Sequence, residues 1–333
     1  MASYLQRGAG WIATGRVRAP AILALCCMAP CGAAEVYPAR PVRLIVPFGA
    51  GAATDIVARI FGARFSEVLG QTIVVDNRAG AGGLIGTETA AKAAPDGYTV
   101  LVFGINQTIA PALYKRLPYD PVRDFAHISM YGTLPNILVI HPSVPAKSVK
   151  EFIALAKASP GSLRYGSSGI GASPHLTMEL FKSRAGIDMV HVPYKVAAQG
   201  ITELVAGHLH AWFNNLPSAI GNVKAGRLRG LAVTAVNRAE QLPEVPTMIE
   251  SGLPDFEVTV WQGLAVPVAT SGAVVNRLHG AMIKTLAIPE LKQKFFEQGV
   301  AVAPSTREEF AAFIKSETAR WAKVVKDSGA ALE

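Results

Sequence analysis

Beyond residue 31 the chain has no cysteine. All three, Cys26, Cys27 and Cys31, lie within the first thirty-four residues, so the rest offers no disulfide, no catalytic thiol and no cysteine–zinc site. Long apolar runs are missing too. The one short run, residues 21–28, is too brief to span a bilayer, and a polar, proline-containing stretch follows it. No basic run with interleaved aromatics occurs, which argues against nucleic acid. The formal charge is +8, or +5 once Arg7, Arg16 and Arg18 are set aside, a modest excess that suits small acidic ligands.

Catalytic and nucleotide signatures are equally scarce. Gly166-Ser-Ser-Gly169 is one residue short of a nucleophile elbow, no His-Glu-x-x-His occurs, and no paired carboxylates flank an obvious site. A dinucleotide loop needs three glycines at fixed spacing, each with a steric task. Gly49-Ala-Gly-Ala-Ala-Thr54 puts threonine at the third place, Gly80-Ala-Gly-Gly-Leu-Ile-Gly86 carries its last glycine one place late, and Gly169-Ile-Gly-Ala-Ser-Pro174 fails likewise. No lysine follows any of them as a Walker motif requires. The chain reads as a binding protein, neither an enzyme nor a holder of nucleotide cofactor or metal.

What is present begins with a targeting pattern. Three arginines, the apolar run and the small residues Cys31-Gly-Ala-Ala34 predict a cleavable signal peptide over residues 1–34, hence an exported chain. Leu23-Ala-Leu-Cys26 has leucine where a lipobox wants a small residue.

From residue 42 apolar strands alternate with helical periodicity, which predicts an α/β fold with mostly parallel sheets. Strands are expected at residues 42–46, 73–75, 100–103, 137–140, 163–166, 189–193, 211–214 and 231–234. Helices are expected at 56–69, 174–185, 197–206 and 217–225. Ser148 with Glu151 makes a capping box for another helix that ends at Pro160-Gly161, and residues 272–329 read as nearly all helix. Two strand–loop–helix modules stand out, one from Val46 to Arg59 and one from Arg164 to His175, with Ser173 as N-cap and Pro174 at the first helical place. Helix N-termini carry partial positive charge, so two such modules facing one cleft suit an anion. Residues 136–141 and 258–266 would cross between domains.

These residues carry a resemblance. Pro47-Phe48 through Gly51, Asp55 and Ala58-Arg59 is similar to the signature of tripartite tricarboxylate transporter receptors, the Bug proteins. Further matches follow in family order: Val74-Val-Asp-Asn-Arg78, Pro95-Asp-Gly-Tyr-Thr99, Tyr119-Asp-Pro121, Tyr165-Gly-Ser-Ser-Gly169, His191-Val-Pro-Tyr-Lys195, Lys224-Ala-Gly226 and Leu242-Pro-Glu-Val-Pro-Thr247. The resemblance implies a type II periplasmic-binding fold, with residues 35–138 and 259–333 as one α/β domain and 139–258 as the other, closing on a ligand carboxylate. It implies that the loop of Phe48, Gly49, Ala50, Gly51, Ala52, Thr54 and Asp55 holds that carboxylate through backbone amides and bridging waters. Ser167, Ser168, Gly171, Ser173 and His175 would line the other wall, with Tyr194, Asn214 and Trp261 as further contacts. It also implies a periplasmic monomer that serves membrane transporter subunits. Departures are Gly49, where the family has proline, Ala52, where it has glycine, and Val196, where it has glycine. Asn214 stands where aspartate is usual, which points away from cationic ligands.

Several residues admit two readings. Asp55 either complements the helix dipole or anchors the loop and meets a ligand donor. His175 either bonds a ligand carboxylate or packs for structure, and Trp261 either stacks on a ligand or fills the core. His208 and His210 share a strand face, but with no third ligand nearby they read as solvated. A sensor signalling to a membrane partner, and an exported α/β hydrolase, are the alternative functions.

Overall fold

The computed structural model describes residues 37–328. The expected signal peptide and all three cysteines lie outside the described residues. Strand β1 (Val42–Val46) is five consecutive apolar or half-buried positions, the pattern of a strand covered on both faces. Helix α1 (Ala53–Leu69) follows, burying Val57, Phe61, Phe65 and Leu69 along one stripe. It stops at Gly70, whose φ of +81° closes the helix in the left-handed conformation. β2 (Ile73–Asn77), α2 (Leu84–Ala91), β3 (Thr99–Gly104) and α3 (Ile105–Leu113) complete the first set of units. β1 pairs in parallel with both β2 and β3.

A long strand, β4 (Phe125–Ile140), organises the rest. After it come α4 (Val149–Ala158), β5 (Arg164–Ser167), α5 (Ser173–Ala185), β6 (Val190–Pro193) and α6 (Ala197–Val205). β7 (Ala211–Asn215), α7 (Leu216–Lys224), β8 (Arg229–Val233), β9 (Thr259–Pro267), α8 (Gly272–Ala287), α9 (Pro289–Glu297), β10 (Ala301–Val302) and α10 (Arg307–Ser328) follow. Residues 125–135 of β4 lie antiparallel to β9, with β10 touching at Gly132 and Thr133. From Asn136 onward the strand changes partners to β7 and β8. The full order is β2-β1-β3-β9-β4-β7-β5-β6.

This order corrects the expectation of mostly parallel sheets. The outer strands are parallel, but every ladder made by β4 or β9 is antiparallel. Both are long return strands that carry the chain between groups of α/β units. The helical tail is likewise interrupted by β10. Among the described residues no helix is long and apolar enough to cross a membrane.

Two buried clusters hold these strands. The larger runs from β1 and α1 through β3, β9 and α8 to α10. Phe61 lies between Phe65 and Tyr131 at centroid distances of 4.9 and 5.1 Å. The smaller gathers Ile137, Val139, Trp212, Leu216 and Val233 under β4, β7 and β8. A third, small cluster of Phe48, Ala52, Ala172 and Ala197 packs among the loops that follow β1, β5 and β6.

Candidate functional site

The loop between β1 and α1 is held from within. Asp55 is 3% exposed. Its carboxylate accepts the Gly51 N–H at 2.9 Å, the Arg59 Nε–H at 2.9 Å and the Asn77 amide at 2.9 Å. Asn77 also donates to the Phe48 carbonyl. Burial pushes the Asp55 carboxyl up, but the hydrogen bonds from Arg59, Gly51 and Asn77 outweigh it and hold it below the usual carboxylate range. Asp55 is therefore the loop's anchor. The expectation that Gly51 offers a bare amide is corrected, because that N–H is taken by Asp55. Gly51 has φ +78°, a turn that favours glycine, whereas Ala52 sits at an ordinary −66°. The missing second family glycine thus leaves this turn unstrained.

Helix α1 begins at Ala53 with no side chain capping it, so the N–H groups of Ala53 and Thr54 have no intrahelical acceptor. Both residues line a cavity of about 20 Å³, together with Phe48, Ala52, Asn106, Ser168, Ser173, Pro174, Ala197, Asn214, Asn215, Ser218 and Val260. Ala53 and Thr54 open α1, Asn106 lies in the first turn of α3, and Ser173 and Pro174 open α5. Ala197 opens α6, and Asn215 with Ser218 belongs to the start of α7. Five helix N-termini thus converge on one small polar space. No lysine, arginine or histidine lines it.

Within this space Asn214 is 4% exposed, and its Nδ2 has no hydrogen-bond partner. A buried donor without an acceptor costs free energy, on the order of 1–3 kcal/mol. Its neighbours are fully arranged. Asn136, where β4 changes partners, donates to Ser173 Oγ at 3.1 Å and Thr177 Oγ1 at 2.8 Å, and accepts from Asn215 Nδ2 at 2.5 Å. The Ser173 backbone N–H donates to Asn106 Oδ1 at 2.9 Å. The cavity is therefore rich in donors, with one left over. It admits one water-sized group, since about 10–15 Å³ is the minimum for that.

Of the expected residues, Phe48, Ala52, Thr54, Ser168, Ser173 and Asn214 meet here. Gly49 lies outside the lining, as do Ala50 and Gly51. Tyr194 stacks on Trp212 at 5.9 Å and lines a second, outer space with Phe48 and Ser168. Ser173 is not the N-cap: Ala172 holds that place, and Ser173 and Pro174 are the first two helical residues.

Three other expected residues have structural partners of their own. Trp261 is buried, donates its indole N–H to Glu317 at 3.1 Å, and sits edge-on to Phe310 and Phe313 in the core. His175 accepts the Gly171 N–H through Nδ1 at 3.3 Å, so it shapes the second loop from behind. Ser167 is fully buried, with Oγ 2.6 Å from His191 Nε2. Tyr165, His191 and His175 form one stack, with centroids 4.8 and 4.3 Å apart. The Tyr165 hydroxyl donates to Glu179, which also pairs with Lys182. Burial, reinforced by the neighbouring His175, pushes His191 down to about 4, and burial lowers His175 as well. Both imidazoles are neutral at neutral pH, so this wall adds dipoles rather than charge. His208 and His210 are separately engaged, by Glu203 and by the Arg164 N–H. Among the described residues no group of three metal-ligating side chains exists.

Sequence reasoning missed Asn106, Asn215 and Ser218. Asn215 had a signal, standing beside Asn214 at a strand end. Asn106 had a weaker one: a buried strand ends at Gly104, and Ile105, Ile109 and Leu113 follow at helical spacing, interrupted by Pro111.

Comparison with known proteins places this geometry. Residues 57–330 match the family described as "Tripartite tricarboxylate transporter family receptor". The protein BugT of Bordetella pertussis is 36% identical over 302 residues, covering 90% of this chain and 93% of that one. The periplasmic binding protein BugD has a solved structure with a TM-score of 0.87 and 32% identity, covering 89% of this chain and all of that one. A structure of R. palustris Rpa4515 with adipate gives a TM-score of 0.85 and 35% identity, with 88% and 98% covered. The α/β fold described above is that of these periplasmic binding proteins.

Proposed function

The chain belongs to the tripartite tricarboxylate transporter receptor family, and from that premise we propose that it captures a small organic carboxylate in the cavity around Asn214 and delivers it to membrane transporter subunits. Members of this family are solute-binding receptors rather than enzymes. The observation that carries the reading is the convergence of five helix N-termini on a buried, unpartnered amide donor, with no cation among the lining residues. A carboxylate supplies the missing acceptor, and neutral donors give it charge-assisted bonds without a fixed counter-ion. The solved relative with adipate carries such a ligand.

The cavity is too small for a whole organic acid, so capture requires its walls to part. In this reading residues 35–138 with 259–333, and residues 139–258, are two lobes that open and close, and the exported chain works as a monomer in the periplasm. Bridging waters complete the carboxylate's shell. Calorimetry with a panel of mono-, di- and tricarboxylates tests this. One-to-one binding of an acid is expected, and Asn214→Leu, which removes the unpartnered donor, should weaken it about tenfold. Binding of a sugar or a cation with no response to any acid overturns the reading.

A further inference from the structure

Outside the polar cavity lies a second space of about 490 Å³ that shares Phe48 and Ser168 with it. Its wall is apolar in the main: Phe48, Ile85, Tyr114, Ile170 and Tyr194, with Lys195 as the single charged side chain. Ile85 and Ile170 are 46% and 38% exposed, large aliphatic side chains left without cover at the same opening. The two glycine-rich loops meet beside it. A Cβ on Gly82 would stand 2.5 Å from the Ile170 carbonyl oxygen, so backbone touches backbone there. The polar cavity and this largely hydrophobic space are thus neighbours, with Phe48 and Ser168 lining both.

We infer that the ligand is a carboxylic acid with an extended apolar body, its carboxylate inside among the helix N-termini and its hydrocarbon part in the outer space. This rests on the carboxylate reading above and narrows it. A compact hydroxy-acid such as malate or citrate leaves Phe48, Ile85 and Ile170 uncovered and brings polar groups beside them, with Lys195 and the hydroxyls of Tyr114 and Tyr194 as the polar groups at the rim. A hydrocarbon chain or a ring instead covers those side chains from water, and each buried methylene adds favourable free energy.

The test is a calorimetric series of straight-chain monocarboxylates from two to eight carbons, with malate and citrate alongside, on the purified protein. Affinity should rise about threefold to fourfold per added methylene once the chain reaches the outer space, and the longer acids should exceed malate and citrate at least tenfold. Ile85→Asn, a change at an exposed position, should flatten that rise. A flat or falling series with malate or citrate as the tightest binder overturns this inference and leaves the carboxylate reading standing. Silence from every acid overturns both.

Discussion

Asn106 and Ser173 are joined across the site: the side-chain carbonyl of one, in α3, accepts the backbone N–H of the other, at the start of α5, at 2.9 Å. The bond ties the two walls together and occupies a backbone donor at the edge of the cavity. Net, a bond of this kind contributes about 0.5–1.5 kcal/mol. Asn106→Ala should therefore shift the ligand-free protein toward a wider cleft by about two- to tenfold. Small-angle scattering without ligand is the measurement, and a radius of gyration equal to that of the parent protein contradicts the assignment.

Gly49 and Val196 also meet. A Cβ built on Gly49 would lie 3.5 Å from Val196 Cγ1, ordinary contact distance. Two departures from the family pattern, a residue smaller than proline and one larger than glycine, thus face each other, and bulk has moved from one wall to the other. Gly49→Ala should be tolerated. Val196→Gly should admit bulkier acids, raising their affinity relative to slim ones several-fold. Since Val196 is 38% exposed, its melting temperature should move little. Competition between a branched and a linear acid reads the change, and an unaltered preference would show that this contact does not gate the site.

Asp55 offers a test of the loop. Asp55→Ala strands the Gly51 N–H and the Asn77 amide. Gly51 is exposed and Asn77 half-buried, so water takes up part of the loss and each bond removed costs about 0.5–1.5 kcal/mol net. Asp55→Asn keeps the volume and one acceptor oxygen, so it should lose less. Denaturant titration orders the two variants. Equal stability of all three proteins would mean that the loop does not depend on this carboxylate. Gly51→Pro is a poor probe by comparison, because φ +78° lies outside proline's range.

Acid should destabilise the protein before its carboxylates titrate. His127 is held at about 4 by burial, against an ordinary 6.5, and His191 is likewise near 4. The unfolded chain takes up protons below about 6.5 that the folded chain refuses. Stability is thus complete above that pH and declines as pH falls toward 4. Melting temperatures between pH 7.5 and 4.5 should drop accordingly. His127→Gln, which retains a donor toward the Pro121 carbonyl, bonded at 3.0 Å in the parent, should drop less steeply. A melting temperature that is level or rising over this range contradicts the argument.

How far the sequence could be read follows from where side-chain periodicity was clean. Helices α1 and α4 and strands β1, β5 and β7 lie close to their expected positions because apolar spacing and turn residues agree there. The first half of β4 was hidden: His127, Ser129, Gly132 and Pro135 break its apolar alternation. Helix α2, with Gly86 and two threonines, buries small residues and shows no apolar stripe. The loops of the site were legible from their glycines, but not the direction of their N–H groups. The network of Asp55, Asn77 and Arg59 brings Asn77 to residues 22 and 18 positions away. Asn214 was visible only as a departure from a pattern, while its unpaired donor is a property of the assembled strand ends.

The placement of β9 has a consequence for how the chain acquires its structure. β3 ends at Gly104, yet its antiparallel neighbour is Thr259–Pro267, with Leu101 opposite Ala265. Pairing so distant in sequence closes a very large loop and slows folding. A chain emerging N-terminus first would expose the open edge of β3 until four-fifths of it had appeared. Until then the sheet is incomplete at its middle, so the N-terminal units reach their final pairing only after the return strand has been made.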